Sequence, residues 1–238
     1  MNIEEFKKIM ISYAEKINIK FTEEQLNQFY EYMNLLLEWN EKINLTAITD
    51  PNEVILKHFI DSLTINKYIK ENSTLADVGT GAGFPGIPLK IAFPKLQIVL
   101  ADSLNKRIRF LQEVIDTLGL EDVTAVHGRA EEMGRNTLYR EQFDLCVSRA
   151  VANLSSLSEY CLPFVKTGGA FISYKSGEVD EEATQAKKAI YLLGGEVKDI
   201  YKFDLFDQKR SFVVIEKERK TPKAYPRKAG TPTKEPLQ

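Results

Sequence analysis

An α/β fold with a mainly parallel sheet covered on both faces is predicted for this chain of 238 residues. Three observations predict it. From Thr74 onward, short apolar runs alternate with amphipathic ones, the strand–helix–strand rhythm of crossovers between parallel strands. Between the first such strand and the next helix lie Gly79, Gly81 and Gly83, in T-L-A-D-V-G-T-G-A-G-F-P-G. The last two strand-like runs follow each other with no helix between, as an antiparallel hairpin does.

Residues 1–72 read as helical. Thr22 to Gln25 forms a capping-box pattern, and Leu26, Phe29, Tyr30, Met33 and Leu37 follow at helical spacing. A further helix is expected over 53–69, with Asn40 and Asn44 holding the turn before it through side-chain bonds to backbone. Strands are expected at 75–78, 97–102, 123–127, 143–148, 170–174, 197–203 and 211–216. Helices are expected over 84–93, 104–118, 153–162 and 179–193, the last stopped by Gly194 and Gly195.

The glycine turn is the chemically informative stretch. Without a Cβ, glycine takes positive φ and lets backbone lie against a ligand, and the following helix start offers unpaired N–H groups. The dinucleotide pattern G-x-G-x-x-G would need a third glycine where this chain has Phe84. The G-x-G-x-G spacing resembles instead motif I of class I S-adenosylmethionine-dependent methyltransferases. Asp102 ends the next strand 23 residues after Gly79, close to the ~20 expected of a carboxylate that accepts from ribose hydroxyls; capping the next helix is its other reading. Asp77 suits either the methionyl ammonium or a structural N–H.

Composition narrows the classes. No apolar run reaches the ~18 residues of a membrane span, and the N-terminus lacks a signal-peptide core, so a cytoplasmic protein is expected. Cys146, Cys161, His58 and His127 show no metal-ligand spacing. His58, three residues before Asp61, reads as a structural hydrogen-bonding residue. Net charge is −2, yet residues 217–238 carry seven Lys or Arg against two Glu, a net of +5. Residues 1–72 carry eight Lys against twelve acids, a net of −4. A basic segment on an acidic body suits a phosphate-rich partner. Residues 221–238, with four prolines, are expected as an extended arm. There Lys223, Arg227 and Lys228 flank Tyr225, pairing cations for phosphate with a ring for stacking, which favours RNA. Lys106, Arg107 and Arg109 suit RNA phosphate or a solvated helix face equally.

Seven segments carry a closer likeness: W-N-E-K-I-N-L-T-A-I from Trp39, H-F-I-D-S-L from His58, G-T-G-A-G-F-P-G from Gly79, S-L-N-K-R-I-R-F-L from Ser103, G-R-A-E from Gly128, S-R-A-V from Ser148 and Y-P-R-K-A-G-T-P from Tyr225. Together they resemble the bacterial small-subunit ribosomal RNA guanine-N7 methyltransferases, also called glucose-inhibited division protein B, over nearly the whole chain. The resemblance implies a Rossmann-like class I methyltransferase domain over 73–218, with a seven-stranded sheet and terminal antiparallel hairpin. An N-terminal helical region over 1–72 precedes it, and a basic Pro-rich arm over 219–238 follows. It further implies S-adenosylmethionine as cofactor and 16S ribosomal RNA or the small ribosomal subunit as partner, with no DNA, no membrane and a monomeric state. Gly79 and Phe84 would touch the cofactor, with Gly81 in the same turn. Ala130 and Glu131 would lie against its adenosine and Arg149 would also reach it; a fork to the methionyl carboxylate suits Arg149, and an ion pair is its other reading. Glu131 also reads as a helix-start acid.

Absent motifs narrow the chemistry. Where an amino-nitrogen methylase of adenine carries N-P-P-Y or D-P-P-Y, this chain reads S-R-A-V, and neither cysteine is placed as a nucleophile. Guanine N7 offers an in-plane lone pair that needs no deprotonation. A direct in-line displacement is therefore expected, with no catalytic residue indispensable for proton transfer. A small-molecule methyltransferase and an NAD-dependent oxidoreductase are the competing readings; Phe84 and the terminal hairpin disfavour the second.

Overall fold

The computed structural model describes residues 1–149 and 152–237. Two helices, α1 (Ile3–Lys16) and α2 (Glu23–Ile43), open the chain. The capping box forms as expected: Thr22 Oγ1 accepts from Gln25 N–H while Gln25 Oε1 accepts from Thr22 N–H. The buried face of α2 is Leu26, Phe29, Tyr32, Met33 and Leu36, while Tyr30 and Leu37, expected in that stripe, are only partly buried. Asn44 ends the helix at φ 48°. Asn40 Oδ1 then accepts from the N–H groups of Leu45 and Thr46 at 2.6 and 2.8 Å, so Asn40 holds the turn as expected, whereas Asn44 contributes through its left-handed backbone.

The helix expected over 53–69 is not one regular helix. It runs as α3 (Pro51–Val54), a π-helical segment (Ile55–Ile60) and α4 (Asp61–Leu63), followed by a 3₁₀ turn at Asn66–Tyr68. A π turn carries an extra residue and rotates the buried face. It takes His58, Phe59, Ile60 and Asp61 into the interior together, which a regular 3.6-residue period does not.

One sheet of seven strands follows, in the order β3-β2-β1-β4-β5-β7-β6. Its members are β1 (Thr74–Val78), β2 (Gln97–Asp102), β3 (Val123–His127), β4 (Phe143–Arg149), β5 (Val165–Ser176), β6 (Gly195–Leu205) and β7 (Gln208–Lys217). The first five are parallel; β6 and β7 form the antiparallel hairpin. α5 (Gly86–Ala92) and α6 (Asn105–Leu118) lie in the core that also holds α1 and α2. α7 (Ala130–Met133), α8 (Leu154–Cys161) and α9 (Asp180–Leu192) cover the other face. Strand alternation sends Leu75 and Val147 into the first core and Ala76, Val78 and Cys146 into the second. Strand order reverses between β1 and β4, so a crevice opens at their carboxyl ends.

The expectation of an extended arm is corrected. Residues 221–237 fold back on the body and end in α10 (Thr231–Lys234). Arg140 donates to the carbonyls of Thr221 and Tyr225 at 2.7 and 3.0 Å. Glu159, fully buried, accepts from Arg227 N–H at 2.6 Å and from its guanidinium at 2.7 to 3.1 Å. A Pro-rich segment has few hydrogen bonds of its own to make; here the body supplies partners for its carbonyls and its arginine. Arg227 is thereby engaged by protein, whereas Lys223 and Lys228 stay exposed and Tyr225 is half-buried.

Candidate functional site

A cavity of about 550 Å³ opens at the carboxyl ends of β1, β2, β3 and β4, within the range of small-ligand sites. Gly79, Gly81, Phe84, Asp102, Ala130, Glu131 and Arg149 all line it. The turn works through backbone: Gly79 and Gly81 sit at φ 73° and 62°. A Cβ built on Gly81 meets nothing within 4 Å, so open space lies directly against this backbone. Gly83 is different, since its Cβ would stand 2.7 Å from both Ile87 Cγ1 and Tyr32 Oη.

Asp77 does not line the cavity. It is fully buried on the face beneath α5, where Oδ2 accepts from Thr80 Oγ1 at 2.7 Å and from Gly86 N–H at 2.8 Å. Its structural reading is the one this geometry supports, because strand alternation turns it off the crevice. Burial pushes its carboxyl up to about 7, against the lowering effect of those two bonds. Oδ1 has no partner among the described residues.

Asp102 holds the turn itself. Its Oδ2 accepts from Gly81 N–H at 3.0 Å and Arg107 Nη1 at 3.1 Å, and Oδ1 accepts from Leu104 N–H at 2.9 Å. A carboxylate has about four acceptor positions, and these three bonds leave one of them untaken. Glu131 Oε1 accepts from Gly230 N–H at 2.7 Å. That bond brings Gly230 and Thr233 of the folded-back tail into the cavity wall, where composition alone gave no reason to place them.

Arg149 is not a free fork. Its Nη1 donates to Asp61 Oδ2 at 3.0 Å and to the Lys57 carbonyl at 3.1 Å, and its Nη2 lies 3.1 Å from His58 Nδ1. The guanidinium stands 5.1 Å over Phe84, and the His58 ring stacks on Phe84 at 4.3 Å. Asp61 also accepts from Arg210 Nε at 2.7 Å. Nε–H and one Nη2–H of Arg149 have no protein partner among the described residues. Burial, reinforced by Arg149, holds the His58 imidazole down at about 3, so it is neutral near pH 7. Thr46, in cavity contact beside His58, belongs to the N-L-T-A segment and was not among the expected site residues; the Asn40 turn that positions it was the available signal.

Among the described residues, no group of three His, Cys, Asp or Glu is placed to hold a metal ion, and no helix is long and apolar enough to cross a membrane.

The family profile described as rRNA small subunit methyltransferase G matches residues 25–213. A protein of Acetivibrio thermocellus named ribosomal RNA small subunit methyltransferase G is 53% identical over 97% of this chain and 96% of its own length. Its namesake from Clostridium novyi is 51% identical over the full length of both chains. Among solved structures, an Aquifex aeolicus SAM-dependent methyltransferase superposes with TM-score 0.52 at 20% identity, over 70% of this chain and 93% of that one. M. jannaschii TYW2 in complex with AdoMet gives TM-score 0.54 at 14% identity, over 67% and 76%. At these identities the solved structures establish the fold alone, a class I methyltransferase sheet.

Proposed function

Since the chain belongs to the rRNA small subunit methyltransferase G family, we propose that it methylates N7 of a guanine in 16S ribosomal RNA with S-adenosylmethionine as donor. The observation that carries the reading is the cavity in which the glycine turn, Asp102, Ala130, Glu131 and Arg149 meet. The open space against Gly81 is what a closely laid ligand requires. When bound, S-adenosylmethionine supplies a sulfonium methyl that passes to the in-plane lone pair of N7, the C–S electrons staying on sulfur.

The chain's own residues bind and orient. Gly79 and Gly81 let backbone lie against the methionyl part, and Asp102 offers its remaining acceptor position to ribose hydroxyls. Ala130 and Glu131 flank the adenine. Arg149 presents its Nε–H and one Nη2–H to the carboxylate, and Phe84 supports the guanidinium from below. N7 loses no proton, so alignment at roughly 3–3.5 Å replaces a general base. His58, neutral and with both nitrogens engaged, is not one.

The division into 1–72, 73–218 and 219–238 is one of roles. The first segment supplies Thr46 and His58, and the last supplies the cavity wall together with exposed Lys223 and Lys228, which suit RNA phosphate. The protein acts as a cytoplasmic monomer, and the target guanine is flipped from its stack. Mapping tritiated methyl label on 16S RNA and on small subunits by borohydride–aniline cleavage tests the reading. Strand scission at a labelled guanine is expected; label on any other base or atom overturns it.

A further inference from the structure

N7 is an in-plane acceptor in both guanine and adenine. An enzyme that alkylates N7 separates the two purines on that edge through the 6-substituent, an acceptor oxygen in guanine and an amino donor in adenine. A hydroxyl free to rotate and to accept cannot make that choice, whereas a hydroxyl locked as a donor can.

The cavity contains such a group. Arg149 Nη2 lies 3.1 Å from His58 Nδ1, and a guanidinium only donates, so Nδ1 is the bare nitrogen. The proton of neutral His58 is therefore on Nε2, which lies 2.8 Å from Thr46 Oγ1. The Ile48 N–H donates to the same oxygen at 3.0 Å. Thr46 Oγ1 thus accepts twice, and its own O–H is left as a donor with no acceptor among the described residues. Thr46 is partly exposed and lines the cavity with His58, Phe84 and Arg149. That cluster belongs to the β4 end of the crevice. Ala130 follows β3, three strand spacings and so roughly 14 Å away.

We propose that the Thr46 hydroxyl donates to O6 of the acceptor guanine and thereby fixes the choice of guanine over adenine. The inference rests on the guanine-N7 reading above. Arg149, acting through His58, is then a positioning residue for specificity in addition to its cofactor contact.

The test uses the full-length protein and RNA carrying either guanine or 2-aminopurine at the methylated position; 2-aminopurine keeps N7 and the 2-amino group but has hydrogen at C6. Wild type is expected to lose about tenfold in kcat/KM on 2-aminopurine, the worth of one neutral hydrogen bond. Thr46→Val should lose about tenfold on guanine and nothing further on 2-aminopurine, while Thr46→Ser stays near wild type on both. Comparing substrates within each variant separates the O6 contact from a general disturbance of the His58 and Ile48 bonds. The inference is overturned by a wild type indifferent to the 6-oxygen, by equal losses of Thr46→Val on both substrates, or by a Thr46→Val whose defect is confined to S-adenosylmethionine affinity. Since wild type alone reports on the 6-oxygen, the test survives a variant that does not fold. A wild type that labels guanine N7 while ignoring the 6-oxygen sinks this inference alone; one that leaves N7 unlabelled sinks the functional reading as well.

Discussion

Gly81 and Gly83 stand two places apart in one motif and are held for different reasons. Gly83→Ala would drive a methyl to 2.7 Å from Ile87 and Tyr32 at φ 99°, so a loss of about 2–3 kcal/mol in thermal or urea unfolding is expected. At Gly81 an added Cβ meets no protein atom within 4 Å, so the side chain of Gly81→Val starts out in the cavity, at φ 62°. The variant should fold, with about 1–2 kcal/mol of backbone strain, and weaken S-adenosylmethionine binding at least tenfold in calorimetric titration, by roughly one hydrogen bond or more. The three alternating glycines look equivalent in the sequence; only packing tells them apart. Two buried titratable residues, His58 and Asp77, lean in opposite directions with pH. His58 has a folded value near 3, below its ordinary 6.5, so its contribution to stability is full above pH 6.5 and lost as pH falls toward 3. Asp77 has a folded value near 7, above its ordinary 3.8, so its contribution is full below about pH 4 and lost as pH rises through 7. Urea unfolding of His58→Gln and Asp77→Asn against wild type should remove one slope each, and the His58 ring nitrogens should report the Nε2–H form by NMR at pH 5.

At the scale of the element, the strands, the glycine turn and the capping box were legible because each rests on local chemistry: period-two alternation, positive φ, one side chain answering one N–H. The π-helical segment and the folded-back tail were not. The first needs a rotation of the helix face that no regular period encodes. The second is decided by Arg140 and Glu159, whose bonds to it span 85 and 68 residues of chain. Composition reads such a tail as unstructured because composition does not include the partner. Arg227→Ala should leave a buried carboxylate unpaired and cost about 3 kcal/mol, the range for breaking a buried ion pair. Arg227→Lys should restore only part of this, since an ammonium cannot reproduce the fork. Both should also weaken cofactor binding through the Gly230 bond to Glu131.

At the scale of the molecule, an acidic body with net charge −2 must meet RNA through local cationic surface. Lys223→Ala and Lys228→Ala should each lower the slope of log affinity against log salt by about 0.7–0.9, the share of one phosphate contact. Arg227→Ala, already engaged by Glu159, should leave that slope where it is, which filter-binding over a salt series will show. The α/β class and the hairpin at the sheet edge were plain from the order of apolar runs. How the N-terminal layer is fastened to the sheet was not, because beside the shared apolar core it uses long-range bonds of single side chains, Asp61 among them. Asp61 grips Arg149 of β4 and Arg210 of β7, the latter 149 positions further along the chain. The clasp ties the segment bearing His58 to the parallel strands and to the closing hairpin at once, so a fragment ending short of Arg210 keeps the Arg149 half of the grip and lacks the other.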